Sequence, residues 1–437
     1  MLKRLFVDSF ISLLFVISGE ARNLIIFIMF ISAVLACKND PSIENKTIEI
    51  SVTPIENPVE GNSSLPRLFS NGDEVYMSWV EQMDSISILY STRYDGTDWN
   101  ESHLEEGGTD WFVNWADFPA YAENGGRHIF SYLKKSDSAT YAYDIILNHD
   151  YVQIEGGCAV GVVKENFKLH SDTTKTEHGF VSIVPYGEQS FFVSWLDGRN
   201  TSAASHVDHD THGPGAMTLR GAVIDPRGDV VMEAEIDHRV CDCCQTSATI
   251  TENGPLVAYR DRSEEEIRDI SVVRQVNNEW LKPQTIGNDN WEIAGCPVNG
   301  PSVDAYKNSV GLAWFTAARD EGEVQVVFSA DNGATFGEPI RVDSGNATGR
   351  VDLTMISSSE AAVIWMEPDG DDEVIRLLKV NSEGKKGQLV TVSRTSRERA
   401  SGFPQMEKVG DTLMFAWTDV SDDSSSIKTA VLSLDKL

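Results

Sequence analysis

Arginines and carboxylates crowd into a few short stretches of this chain. "YRDRSEEEIRD", residues 259 to 269, carries Arg260, Asp261, Arg262 and Glu265. "LDGRNTSAASHVDHDTHGPGAM" brings Arg199, "TAARDEGE" brings Arg319, and "NATGRVD" brings Arg350. A guanidinium fork matches a carboxylate with two parallel hydrogen bonds. Arg199, Arg260, Arg262, Arg319 and Arg350 are therefore candidates for holding a carboxylate-bearing ligand. Asp261 and Glu265 share a loop with two of them and are the candidates for acid–base work, since glycoside cleavage needs a proton donor and a nucleophile or base. The competing reading is mutual salt-bridging, in which the loop charges serve one another and no ligand is involved.

These loops need a scaffold, and the sequence shows one. Seven strand-like segments centred on an aromatic recur: "VYMSWVE" (Trp79), "HIFSYLK" (Tyr132), "FFVSWLD" (Trp195), "PLVAYRD" (Tyr259), "VGLAWFT" (Trp314), "AVIWME" (Trp365) and "LMFAWTD" (Trp417). Each follows a short apolar strand and precedes another, and a turn such as "RYDGTDW" or "KVNSEG" comes behind the third. Four short antiparallel strands per repeat predict an all-β chain folded as a β-propeller, whose radial closure leaves few exposed edges. Seven blades are counted; six would result if the stretch between Tyr132 and Trp195 were divided differently. The last repeat, ending "IKTAVLSLDKL", lacks a fourth strand, and "TIEISVT" at 47 to 53 is the candidate to supply it. The propeller is thus expected to span 47–437 and to be closed by an N-terminal strand.

In such a meander the second-to-third-strand loops and the inter-blade loops share one face, and the turns after the third strand lie opposite. The arginine-rich loops all belong to the first face. The best-formed of the opposite turns is "SADNGATF", 329 to 336, where Asp and Ser tie backbone N–H groups and Asn and Gly tolerate positive φ. Its pattern Ser329, Asp331, Gly333, Thr335, Phe336 resembles the Asp-box, or BNR repeat, of sialidase-type propellers. The resemblance implies a structural role for Asp331, on the side away from an active site. It also implies glycans with terminal acidic sugars as ligands and an exo-glycosidase as the candidate activity; a non-catalytic glycan- or protein-binding propeller is the alternative. The family places an arginine in an Arg-Ile-Pro motif on its first blade. This chain has "SLPRLF", with Arg67 after Pro66, so the five arginines rest on predicted position and not on that motif.

"CDCCQT" places Cys241, Cys243 and Cys244 within four residues, and Cys296 occupies the equivalent inter-blade position one repeat later. With Cys158 these are read as disulfide candidates stapling neighbouring loops, as an oxidising compartment permits. A thiolate cluster for a soft metal is the alternative. His206, His209 and His212 lie in a loop bearing Gly and Pro, where their spacing fixes no ligand geometry. The expectation is a site without bound metal or cofactor.

The balance of 36 Lys+Arg against 67 Asp+Glu in 437 residues argues against nucleic acid as a partner, since phosphate binding needs positive surface. The N-terminus points to export. Lys3 and Arg4 open the chain, and the apolar run "LIIFIMFISAVLA" is short for a membrane span and right for a signal-peptide core. It ends in "VLAC", which resembles the bacterial lipobox. The resemblance implies a signal peptide over 1–36, lipidation of Cys37, a tether over 37–46 and a lipid-anchored protein of the bacterial cell envelope, periplasmic or surface-exposed. Cys37→Ser is expected to abolish acyl labelling and release the protein from membranes; equal palmitate incorporation in the variant would refute the anchor.

Overall fold

The computed structural model describes residues 50–59, 61–155, 158–201, 215–421 and 424–437. The leader, Cys37 and the loop with His206, His209 and His212 lie outside the described residues. Seven four-stranded antiparallel blades follow one another along the chain, each running from an inner strand, a, to an outer strand, d. Blade 1 comprises Ser63–Ser70, Val75–Met83, Ile86–Tyr94 and His103–Gly108, and blade 2 Tyr121–Glu123, His128–Lys135, Tyr143–Glu155 and Cys158–Lys168. Blade 3 comprises His178–Tyr186, Ser190–Asp197, Met217–Ile224 and Val230–Val240. In blade 4, Ser247–Thr251, Gly254–Arg260 and Ile270–Val276 are followed by two short outer pieces, Glu279–Trp280 and Gln284–Ile286, both paired with strand c. Blade 5 comprises Ser302–Tyr306, Ser309–Thr316, Glu323–Ser329 and Ile340–Arg341, and blade 6 Gly349–Met355, Glu360–Asp369, Asp372–Asn381 and Val390–Thr395. Blade 7 has Gln405–Val409, Thr412–Ser421 and Ser424–Ser433, and takes its outer strand from Thr53–Ile55.

The seven aromatics expected at the centre of each second strand are all buried there. They belong to apolar layers packed between neighbouring blades: blades 3 and 4 share one, blades 4 and 5 the next, and so round to blades 7 and 1. Five of their polar tips find acids, and the Tyr132 hydroxyl donates to Asn166. Trp79 donates to Glu81 at 3.1 Å, Trp195 to Asp197 at 2.9 Å and Trp365 to Glu367 at 2.9 Å, each two residues along the same strand. Trp314 donates to Asp289 and Tyr259 to Asp237, both from the preceding repeat.

The turn at 329–336 is held by its own side chains. The Ser329 hydroxyl bonds Asp331 and accepts the Gly333 N–H, while Asp331 accepts both the N–H and the hydroxyl of Thr335. Gly333 is at φ 74°, and a Cβ there would meet Leu256 Cδ1 of blade 4 at 2.3 Å. Phe336 packs onto the layer between blades 4 and 5. The turn therefore locks one blade against its neighbour.

The closing strand is shorter and later than the sequence suggests. Of the described part of the expected segment, residues 50–53, only Thr53 pairs; Thr53, Pro54 and Ile55 oppose Val431, Ala430 and Thr429. Pro54 has no N–H to give, which suits an outer strand and no other. The shift has a packing cause. Ile50 and Val52 rest on the layer between blades 6 and 7, whereas Ile55 and Val59 rest on the layer between blades 7 and 1. The segment thus crosses the edge of blade 7 and pairs only at the crossing, where Thr429 donates to the Ile55 carbonyl at 3.0 Å. A chain starting at Glu56 is expected to lose about 2–3 kcal/mol relative to one starting at Ile50, from the packing of Ile55 and the exposed strand edge. Equal thermal melting and equal solubility of the two would refute closure by these residues.

Candidate functional site

Alternating strand direction puts the b–c loops and the inter-blade d–a loops on one face, around the mouth of an axial cavity of about 370 Å³. Three of the five arginines lie in these loops, while Arg260 ends a second strand and Arg350 stands in an inner strand; most are spent on the fold. Arg260 is fully buried, and its guanidinium donates to the carbonyls of Asn299, Arg268 and Phe315 at 2.6–2.9 Å. Arg262, also buried, is clamped between Glu266 and Asp242. Arg199 forks onto Asp197, the acid that caps Trp195. Arg319 is largely exposed and bonded to Glu323. No ligand clamp of all five forms.

The proposed acid–base pair does not assemble through any hydrogen bond among the described residues. Asp261 accepts the Arg262 N–H and the Ser271 hydroxyl, while Glu265 is exposed and bonded to Ser263. Burial and the nearby Asp237 charge push the Asp261 carboxyl up to about 6.

Arg350 is different. It stands in a bulge of its inner strand, between Gly349 and Asp352, at φ 53°. A non-glycine residue in the left-handed region costs roughly 1–3 kcal/mol and points to a conformation that the surroundings impose. Asn299 imposes it: its Oδ1 accepts the Arg350 N–H at 2.6 Å and lies 2.3 Å from where a Cβ on Gly349 would be. The guanidinium sits 5.0 Å from the Trp115 ring and 6.0 Å from Phe403, two rings that stack at 5.8 Å. Its hydrogen bonds to Ser401 and Gly402 both come from Nη1. Burial pushes Arg350 down to about 10, with Glu373 opposing and the Arg399 charge adding to the depression. Arg399, on the 6–7 loop, is exposed and has no carboxylate partner among the described residues.

Tyr141, on the b–c loop of blade 2, lies near the same mouth. Its hydroxyl is pushed up by burial and by Glu177, Cys296 and Cys243, with Arg399 opposing. On this face Tyr141 from blade 2, Cys243 and Cys296 from two inter-blade loops, and Arg399 from a fourth are thus close enough to feel one another's charge. Trp115 and Phe403 add aromatic faces. Gln245 braces the mouth, donating to the Ala116 carbonyl and accepting the Gly300 N–H. Sequence reading missed Tyr141, Trp115 and Phe403. Arg399 sits in the inter-blade stretch "RTSRERA", where no local pattern separates a free arginine from a paired one.

Two buried acids lie under the mouth. The Tyr143 hydroxyl is 2.5 Å from Glu177 Oε1 and 3.4 Å from Asp117 Oδ2. Burial pushes Asp117 up to about 7 against the Phe180 N–H and Tyr143, and burial pushes Glu177 up to about 8. Beside them, buried His170 and His178 stack at 3.9 Å, and His170 Nε2 lies 3.5 Å from Asp144, while neither ring nitrogen of His170 has a hydrogen-bond partner among the described residues. Burial pushes Asp197 up, but Arg199, the His178 charge and the Trp195 N–H hold it down to about 2.

The five described cysteines are thiols, not disulfides. Cys241 Sγ lies 3.6 Å from Cys244 Sγ and 4.0 Å from Cys243 Sγ, and Cys296, on the neighbouring loop, is near enough to join burial, Cys241 and Cys244 in pushing the Cys243 thiol up. Inter-blade adjacency thus brings four of the five together, as their equivalent positions suggest. Cys158 is exposed at the start of the outer strand of blade 2, opposite Glu155.

No family model matches the chain, and no curated protein matches it in sequence. Among solved structures, an ulvan lyase, a polysaccharide lyase bound to a GlcA(1-4)Rha3S unit, is similar with a TM-score of 0.51 at 9% identity, over 88% of this chain and 95% of that one. An ancestral GH74 enzyme gives 0.47 at 12% identity over 88% and 51%. A Trypanosoma rangeli sialidase in complex with sialic acid gives 0.40 at 10% over 88% and 57%. The lyase likeness shows the propeller fold, and the two looser ones add nothing to it.

The buried acids generate a pH prediction. Because Asp117 is raised above its unfolded value of about 3.9, its contribution is fully present below pH 4 and is lost as pH rises through 7. Thermal stability is expected to fall as pH rises from about 5 to 7.5 and to level off above, and Asp117→Asn is expected to flatten that slope by on the order of 1–2 kcal/mol. An unchanged slope in the variant, followed by calorimetry, would show that Asp117 is not the titrating group.

Proposed function

We propose that the mouth of the axial cavity binds a terminal acidic sugar of a glycan, with the sugar carboxylate against Arg399 and Arg350 and a ring face on Trp115 or Phe403. One observation carries the reading: an exposed arginine with no carboxylate partner among the described residues stands near a second guanidinium in a chain rich in acids. Two adjacent cations repel, and an anion between them offsets that repulsion. Aromatic faces suit the apolar side of a sugar ring, and Tyr141 adds a hydroxyl. The same fold carries a GlcA-containing unit in the ulvan lyase; site chemistry, not fold, bears the argument here.

The reading is of a binding module. Turnover is left out because Asp261 and Glu265 have separate partners and neither is tied to Arg399. We place the module at the bacterial cell envelope, exported and held by lipid on Cys37, with the 329–336 turn acting as an Asp-box on the opposite face. On an array of sialic-acid- and uronic-acid-terminated glycans, the protein is expected to bind acidic termini. Arg399→Glu should weaken that binding by roughly tenfold or more, the worth of a charge-assisted contact. Absence of binding to every acidic glycan would overturn the proposal, and release of sugar from a fluorogenic sialoside by the parent protein would overturn its non-catalytic part.

A further inference from the structure

The four clustered thiols have no part in the ligand site just described, and their geometry has its own meaning. We propose that Cys241, Cys243, Cys244 and Cys296 bind one zinc ion as a tetrathiolate that cross-links the loop between blades 3 and 4 to the loop between blades 4 and 5. Zinc–sulfur bonds of about 2.3 Å in a tetrahedron put the sulfurs about 3.8 Å apart. The two sulfur separations of 3.6 and 4.0 Å bracket that edge, and all three sulfurs of 241, 243 and 244 lie within 4.8 Å of one another. A disulfide needs about 2.0 Å and a specific dihedral, which would pull one pair inward and leave the others behind.

The surroundings supply what such a centre requires. Arg268 donates Nη1–H to Cys241 Sγ at 3.2 Å, and the Asn299 N–H points to Cys244 Sγ at 3.4 Å. Donors aimed at sulfur stabilise metal thiolates from outside the ligand set. Charge gives the second, independent argument. Arg260 is buried with its guanidinium hydrogens spent on carbonyls, and it has no carboxylate partner among the described residues. Burying an uncompensated guanidinium is strongly unfavourable. Zinc with four thiolates carries a charge of about −2, and Arg260 and Arg268, both buried against the cluster, offset it. Arg260, which the sequence offered as a ligand-binding group, thus gains a purpose as a counter-charge. The cross-link is the one expected of a disulfide staple, made by a metal.

The test uses the full chain, reduced and then supplied with zinc or with cobalt(II) under exclusion of oxygen. One zinc per chain should be retained through desalting, with four of the described cysteines protected from a thiol reagent until a chelator is added. Cobalt(II) should give intense tetrahedral d–d bands and a sulfur-to-cobalt charge-transfer band, which an ion held at His170, His178 and Asp144 does not produce. Cys296→Ser should weaken zinc binding on the order of a hundredfold and diminish the charge-transfer band, whereas Cys158→Ser should leave both unchanged. Freely reactive thiols in zinc-treated protein, or cobalt without a thiolate band, would overturn the proposal. These wild-type measurements decide it even where a variant fails to fold. Stoichiometric copper displacing zinc would overturn the choice of metal.

Discussion

Much of the charge on the loop face depends on how a blade satisfies the polar tip of its buried aromatic. A tryptophan at the centre of a second strand fills the layer between blades, but its N–H needs an acceptor away from water. In blades 1, 3 and 6 that acceptor is a carboxylate two residues further on, the same side of the strand and one step nearer the loop face. The acid is then buried at the rim, and burying it calls for a cation. Arg199 answers Asp197, and Arg376 answers Glu367 at 2.7 Å. Packing the core thus consumes charge in the loops above it.

That chain of dependence explains why arginine density alone does not define a ligand site. Arg199 reaches the loop face because Trp195 needs Asp197. Arg262 and Arg268 share Glu266, and Arg262 also holds Asp242 beside the thiols. What distinguishes the mouth of the cavity is a surplus: Arg350 is forced into its position by a backbone bulge and Asn299, and Arg399 stands next to it uncompensated. The bulge recurs at the same height in blades 1 and 3, where Leu65 and Phe180 take left-handed conformations. A device that elsewhere aims apolar side chains aims a guanidinium in blade 6.

The seams between blades are where the remaining chemistry collects. Inner strands converge on the axis, so the loops leading into them are brought close whatever their sequence separation. Four thiols from two such loops, two carboxyls around Tyr143, and a stacked histidine pair all arise in this way. The carboxyls and the histidines are buried, and the carboxyls under the mouth are raised towards neutrality because water cannot reach them.

The sequence by itself determined the repeat, the aromatic centre of each second strand, the side-chain-tied turn at 329–336 and the need for an N-terminal strand to complete the last blade, and the structure chose seven blades over six. These follow from periodicity and local turn chemistry, which act over a few residues. The tertiary structure alone decided partners. Arg260 reaches carbonyls 39 and 55 residues away, and nothing near it in the chain distinguishes that fate from binding a ligand. The closing strand slid to 53–55 because its neighbours, Thr429 and two different apolar layers, fix its register from the far end of the chain. A guanidinium, a thiol or a carboxyl has several equally good uses, and which one it takes depends on the groups that folding brings within about 4 Å.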